Sequence, residues 1–98
     1  MVCGCSGRTG PRGLASEDSA EKIPAMKQAG ERRDKRVVPQ LVNELESDDP
    51  AVRFYAIEAL ERITGETLGY HYFDDYEKRQ PAIVRWQNWL KTHPIDAK

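Results

Sequence analysis

The sequence has little of the chemistry from which disulfide frameworks, metal centres and membrane spans are built. Its 98 residues include two cysteines and two histidines, and the cysteines, Cys3 and Cys5, are one residue apart. Thiols so close in sequence are poorly placed to link separate elements, and two are too few for a structural zinc site. No apolar run approaches the roughly 20 residues of a membrane span. The fold must therefore be stabilised by an ordinary hydrophobic core.

The chain also lacks a strong net charge, which is formally −1. This argues against a nucleic-acid coat or a polybasic membrane binder for the chain as a whole. The charge is uneven, because residues 1–36 carry eight Lys and Arg against five Asp and Glu, whereas residues 37–98 carry seven against eleven. The pattern is that of a mildly basic arm on an acidic body, and the length is that of one domain.

Apolar residues recur at helical spacing in three segments and predict an all-α fold. The first helix follows Asp34 as an N-cap and should stop near Ser47, and Pro39 should either bend it or confine its regular hydrogen bonding to the residues that follow. The second starts with Asp49 as N-cap and Pro50 at the first helical position, and ends at Gly65 as a left-handed cap. The three apolar sets are Val38, Leu41, Val42 and Leu45; Val52, Ala56, Ala59, Leu60 and Ile63; and Ala82 or Ile83, Trp86, Trp89 and Leu90.

Prolines and a glycine set the expected limits of the other helices. A weak helix from Ser19 should be confined to about two turns by Pro24 and Gly30. The last helix, capped by Asp74 or Asp75, should become regular only near Gln80, because Pro81 would otherwise lie past its first turn. The predicted organisation is a flexible tail over residues 1–19, a helical domain over 20–93 and a short tail over 94–98.

The segment RRDKRVVPQLVNELESDDPAVRFYAIEALERITG, residues 32–65, resembles a HEAT repeat. Pro39 matches the proline of HEAT first helices, and Asp49 and Arg53 match the acid and base that stack between successive repeats. The extension ITGETLGY followed by VRWQNWL resembles the C-terminal end of small bacterial HEAT-repeat proteins, and residues 22–36 look like the end of a preceding repeat. The resemblance implies a scaffold that binds proteins.

A single helical hairpin cannot bury its own apolar face, so something must replace the missing neighbouring repeat. We expect Trp86 and Trp89 of an additional C-terminal helix to do so. The segment TGETLGYHYFDDY is rich in aromatic residues, and its rings should close the open end of the helix pair rather than form a pocket. Those rings are Tyr70, Tyr72, Phe73 and Tyr76.

Few residues suggest catalysis or metal binding. His71 lies near Asp74, Asp75 and Glu77, but no second histidine at a suitable spacing supports a metal site, and a solvated loop is the favoured interpretation. No Ser, Thr or Cys is paired with a histidine in a recognisable pattern. We therefore expect no enzyme activity, no cofactor and no metal ion.

The predicted function is protein interaction through the N-terminal side of the hairpin, where a weak helix would leave apolar surface uncovered. The expected partner surface consists of Ile23, Met26, Arg32, Arg33, Lys35 and Arg36. Self-association through this side is a close alternative. A nucleic-acid backbone binder or an enzyme on the same scaffold, using the basic residues 32–36, is the competing hypothesis. Interruption by Glu31 and Asp34 weighs against it.

The start MVCGCSG resembles the end of a bacterial lipoprotein signal, in which Cys5 would carry the lipid. Cys3 and the missing apolar region before it depart from that pattern. The two interpretations predict different locations: a membrane-anchored lipoprotein if Met1 is not the true start, and a cytoplasmic protein with a flexible tail if it is.

Overall fold

The computed structural model describes residues 19–93, which form four α-helices with no strand among them. The helices are α1 (Ser19–Arg32), α2 (Val38–Glu44), α3 (Pro50–Thr64) and α4 (Tyr76–Thr92), and a 3₁₀ turn (Lys35–Val37) leads into α2. The all-α fold predicted from the sequence is confirmed. The predicted tails, apart from Ser19, and the lipidation site Cys5 lie outside the described residues.

Helix α1 is longer than predicted, because it runs through both Pro24 and Gly30. Its packing explains the difference. Met26 is fully buried, and a Cβ on Gly30 would lie 3.1 Å from the Cα of Ala59 in α3, so the missing side chain allows the two helices to approach closely. Tertiary packing therefore outweighs the weak helical propensity of these residues. Pro24 lies on the exposed side of the helix.

Two polar contacts also hold α1 against the rest of the domain. Ser19 Oγ donates a hydrogen bond of 2.7 Å to Asp49 at the start of α3, and Lys22 Nζ lies 3.1 Å from Glu44 at the end of α2. The hydrogen bond from Ser19, followed by that from the Ala51 N–H, lowers the pKa of Asp49. These contacts place the first turn of α1 beside the α2–α3 connection.

Helix α2 does not extend back to Asp34, and of the two effects predicted for Pro39, a late start of the regular helix is the one observed. Asp34 does act as a cap, but its carboxylate accepts the N–H of Arg36 in the 3₁₀ turn, and the α-helix begins at Val38. Pro39 lies in the first turn of α2, where its missing N–H costs little. After Glu44 the backbone continues in single turns as far as Ser47.

Helix α3 is the centre of the domain and packs against both α1 and α2. Its ends follow the sequence prediction: Asp49 accepts the N–H of Ala51 at 2.9 Å, Pro50 occupies the first turn, and Gly65 has φ 83° with its N–H bonded to Glu61 O at 2.8 Å. Seven of its residues are buried, on more than one face: Val52, Arg53, Ala56, Ile57, Ala59, Leu60 and Ile63.

Helix α4 begins at Tyr76, earlier than predicted, and Pro81 lies inside it. Asp75 is the N-cap and accepts the N–H of Lys78 at 3.0 Å. Pro81 removes one backbone hydrogen bond but has an exposed ring. Trp86, which has no exposed surface, packs in the core and donates its indole N–H to Thr67 O at 3.0 Å. Burial of this face keeps the helix continuous.

Candidate aromatic and basic surface

The aromatic residues of the α3–α4 loop divide into buried and exposed sets. Tyr70 is 3% exposed, and its hydroxyl donates a 2.7 Å hydrogen bond to Leu45 O at the end of α2. Burial raises the pKa of Tyr70 to about 12. Tyr72 is partly buried, but Phe73 and Tyr76 are 69% and 64% exposed. The prediction that all four rings close the core is therefore right for Tyr70, partly right for Tyr72 and wrong for Phe73 and Tyr76.

Five rings from α3 and the following loop form a continuous series of contacts, which we call the aromatic stripe. Tyr55 contacts Phe54 and Phe54 contacts Tyr72, with ring centroids 4.9 and 5.1 Å apart. Tyr72 then contacts Phe73 at 5.4 Å, and Phe73 stacks on His71 at 5.3 Å. Each of the five side chains retains solvent exposure. The stripe is thus a surface feature rather than a closed cluster.

One end of the aromatic stripe opens into a groove beside α1. The α1 groove has a volume of ≈ 330 Å³, and its lining consists of Ile23, Pro24, Lys27, Gln28, Glu31 and Tyr55. Lys27 Nζ lies 5.9 Å from the centroid of the Tyr55 ring, within the range of a cation–π interaction. Tyr55 belongs to both features, so the groove and the stripe form one surface.

The six residues predicted as a partner surface do not share one environment. Met26 is a core residue with no exposed surface, which corrects its assignment to a binding face, and Ile23 is partly buried at the α1 groove. The basic residues Arg32, Arg33, Lys35 and Arg36 are all exposed. Helix α1 thus covers the hairpin more completely than the sequence suggested, and what remains accessible is the groove and the basic end of the helix.

Two of these basic side chains have partners. Arg33 Nε donates to Arg62 O at 3.2 Å, and Arg36 Nε pairs with Asp34 at 3.1 Å. The hydrogen bond from Arg36 is the main cause of the lowered pKa of Asp34. Both side chains stay exposed, and the Arg36–Asp34 ion pair lies at the surface, where such pairs contribute little to stability. The positive charge of the segment therefore remains available to a partner.

Arg53 holds the loop that carries the exposed rings. Its guanidinium is largely buried and donates to Ser47 O at 2.8 Å and to Tyr72 O at 3.0 Å. The HEAT resemblance led us to expect that Arg53 and Asp49 stack between repeats. In this structure Arg53 instead binds two main-chain carbonyl groups of its own chain, and so fixes Tyr72 against α3.

The loop histidine does not have the surroundings of a metal site. His71 Nδ1 lies 3.5 Å from Asp74 Oδ2, while Asp75 is used as the N-cap of α4. Within residues 19–93 no three His, Cys, Asp or Glu side chains are grouped closely enough to hold a metal ion. No helix in the same range is both long and apolar enough to cross a membrane.

Comparisons with known proteins leave the surface as the basis for inferring function. No protein-family model, no curated protein and no solved structure matches this chain.

Phe54 and Tyr55 were not predicted from the sequence to be surface residues. Their only signal was that Phe54 lies off the main apolar face of α3. Its contact with Tyr72, 18 positions away, depends on the path of the loop.

Proposed function

We propose that the chain is a non-catalytic protein-interaction module of HEAT-repeat type, with its partner surface on the α1 side of α3. The α1 groove is the observation that carries the proposal. It places the partly exposed side chains of Ile23 and Tyr55 beside Lys27, on two helices that are in close contact through Gly30 and Ala59. Tyrosine and arginine, which the groove and the end of α1 provide in Tyr55 and Arg32, are enriched at the energetic centres of protein interfaces.

The surroundings of the α1 groove indicate the chemistry of a partner. Ile23 and the Tyr55 ring offer apolar contact, whereas the exposed Arg32, Arg33, Lys35 and Arg36 add positive charge at and just after the end of α1. A protein segment with an apolar side chain followed by acidic residues would complement both parts. Positive charge of this kind increases the rate of association and makes it dependent on salt.

The experiment compares the wild-type chain with two surface variants as bait in affinity capture. Ile23→Ser removes an apolar contact of the groove, and the double variant Arg32→Glu, Arg33→Glu reverses the charge at the end of α1. Val84→Ser is the matched control, because Val84 is 49% exposed on α4 and lies outside the groove lining. Circular dichroism verifies that each variant is folded.

The proposal expects a protein that is retained by the wild type and by Val84→Ser and lost from both surface variants. Its purified form should bind with an affinity that weakens as salt increases. If every retained protein binds all four baits equally, the α1 side is not a partner surface.

The exposed basic residues also motivate the competing hypothesis of a nucleic-acid backbone binder. Fluorescence anisotropy with labelled single- and double-stranded DNA and RNA at low salt separates the two. Binding that disappears in the variant with Arg32, Arg33, Lys35 and Arg36 changed to Ala would favour nucleic acid. Absence of binding at low salt would exclude it.

A further inference from the structure

We propose that the aromatic stripe and the α1 groove together form a self-complementary surface that binds a second copy of this chain as a two-fold symmetric dimer. This inference rests on the proposed function and specifies a partner for the same surface. It follows from the exposed rings, from the order of their contacts and from the charges at the two ends of the series.

The apolar part of the surface is continuous from the α1 groove to Phe73 in the α3–α4 loop. Tyr55, Phe54 and Tyr72 are partly exposed, and Phe73 is the most exposed large hydrophobic residue of residues 19–93, at 69%. Soluble monomers seldom present extended apolar patches, and such patches mark interaction sites. Because Arg53 binds Tyr72 O, the loop that carries Tyr72 and Phe73 is held in place before any partner arrives.

The net charges at the two ends of this surface have opposite signs. Lys27 lies over Tyr55 at the groove end, while Asp74 lies beside His71 at the loop end, 3.5 Å from its ring nitrogen. The exposed Glu77 adds negative charge next to the loop, and the basic end of α1 adds positive charge beyond Lys27. Glu31 also lines the groove beside Lys27, and the exposed Lys78 follows Glu77, so each end carries both signs. The net charges still differ: Lys27 and residues 31–36 carry five positive and two negative side chains, whereas residues 74–78 carry three negative and one positive.

This arrangement favours a second copy over a purely acidic or purely basic partner. A partner of one charge would meet attraction at one end of the surface and repulsion at the other. A two-fold axis near Tyr72, the middle of the series, places Lys27 of each copy opposite Asp74 of the other. Symmetric dimers are built from one patch that complements itself in this way.

Sedimentation velocity of the full chain from micromolar to millimolar concentration tests the proposal. We expect a concentration-dependent monomer–dimer equilibrium that Phe73→Ser weakens at least about tenfold, as for a central aromatic side chain of an interface. Val84→Ser is the control for loss of an exposed apolar residue and should dimerise like the wild type. A monomer at every concentration would overturn the proposal.

Charge exchange provides a second and more specific test. Lys27→Glu and Asp74→Lys should each weaken the dimer at low salt, because each places like charges opposite one another. The double variant Lys27→Glu, Asp74→Lys should regain most of the loss. A double variant as weak as either single variant would contradict the two-fold pairing.

The two proposals fail in distinguishable ways. Loss of dimerisation with continued, variant-sensitive capture of another protein would refute the dimer and leave the interaction module intact. Dimerisation that is insensitive to Phe73, Lys27 and Asp74 would place the contact on another surface and would equally refute this one.

Discussion

Arg53 and Arg79 lie at equivalent positions of α3 and α4, four residues after the N-cap aspartates Asp49 and Asp75, yet their guanidinium groups have different surroundings. Both side chains are buried. Arg53 donates to two main-chain carbonyl groups, whereas Nε and Nη1 of Arg79 are buried without a hydrogen-bond partner in the described part of the chain. The Arg79 guanidinium carbon lies 5.9 Å from the centroid of the Tyr76 ring.

The first prediction follows from this difference. Arg79→Met should raise the free energy of unfolding by about 1 kcal/mol, because it removes buried donors without acceptors and retains most of the apolar volume. Arg53→Met is the matched comparison and should lower it by about 2–3 kcal/mol, since two carbonyl groups lose a charged donor. Urea unfolding at neutral pH measures both. Equal destabilisation by the two substitutions would show that the Arg79 guanidinium is satisfied in solution.

The second prediction concerns the contact between α1 and α3. Gly30→Ala should destabilise the domain by about 1–2 kcal/mol, because the new Cβ meets the Ala59 backbone at 3.1 Å, and this overpacking outweighs the higher helical propensity of alanine. Gln28→Ala, at an exposed position of the same helix, should change stability little. Thermal unfolding by circular dichroism compares the two. If Gly30→Ala is more stable than the wild type, α1 and α3 can move apart by enough to accommodate the new methyl group at little cost in free energy.

The third prediction concerns the two tryptophans of α4. Trp86→Ala should cost about 3–5 kcal/mol, because the fully buried ring leaves a cavity and the Thr67 carbonyl loses its donor. Trp89→Ala should cost less, since Trp89 is only partly buried and stacks on His93 at the surface. If Trp86→Ala is too unstable to purify, Trp86→Phe can replace it. Its loss of stability should be smaller than that of Trp86→Ala but should still exceed that of Trp89→Ala. Similar losses at both positions would contradict the assignment of Trp86 to the core.

The fourth prediction is a pH dependence that arises from Tyr70. Its pKa is raised from 10.0 to about 12 by burial, so between these values the unfolded chain loses the phenol proton and the folded chain keeps it. The contribution of Tyr70 to the free energy of unfolding therefore has its full value below pH 10 and decreases as the pH rises towards 12. The free energy of unfolding, measured from pH 9 to 12, should decline less steeply in Tyr70→Phe than in the wild type.

Tyr76→Phe is the control for the alkaline decline, because the Tyr76 ring is 64% exposed. It should reproduce the wild-type dependence. At neutral pH, Tyr70→Phe should be less stable by about 1–2 kcal/mol, since Leu45 O loses a buried donor. If the free energy of unfolding falls with pH as steeply in Tyr70→Phe as in the wild type, a group other than Tyr70 causes the decline.

The sequence by itself determined the ends of α3 and the residues available to the core. The end signals of α3 act on backbone groups within a few positions of themselves, so they can be recognised in the sequence without knowing the fold. These signals are Asp49, Pro50 and Gly65. The same holds for Asp75 as one of two candidate caps of α4. The apolar spacing likewise marked Trp86 as a core residue, because helical periodicity depends only on neighbouring turns.

Tertiary structure decided how far the helices extend and which side chains reach the surface. Helix α1 continues through Gly30 because it packs closely against Ala59, which lies 29 positions away in the sequence. Helix α4 starts at Tyr76 despite Pro81, because Trp86 anchors it in the core. The aromatic stripe joins α3 to a distant loop in the same manner. These features arise from contacts between residues far apart in sequence, whose energies exceed the local preferences that a sequence pattern records.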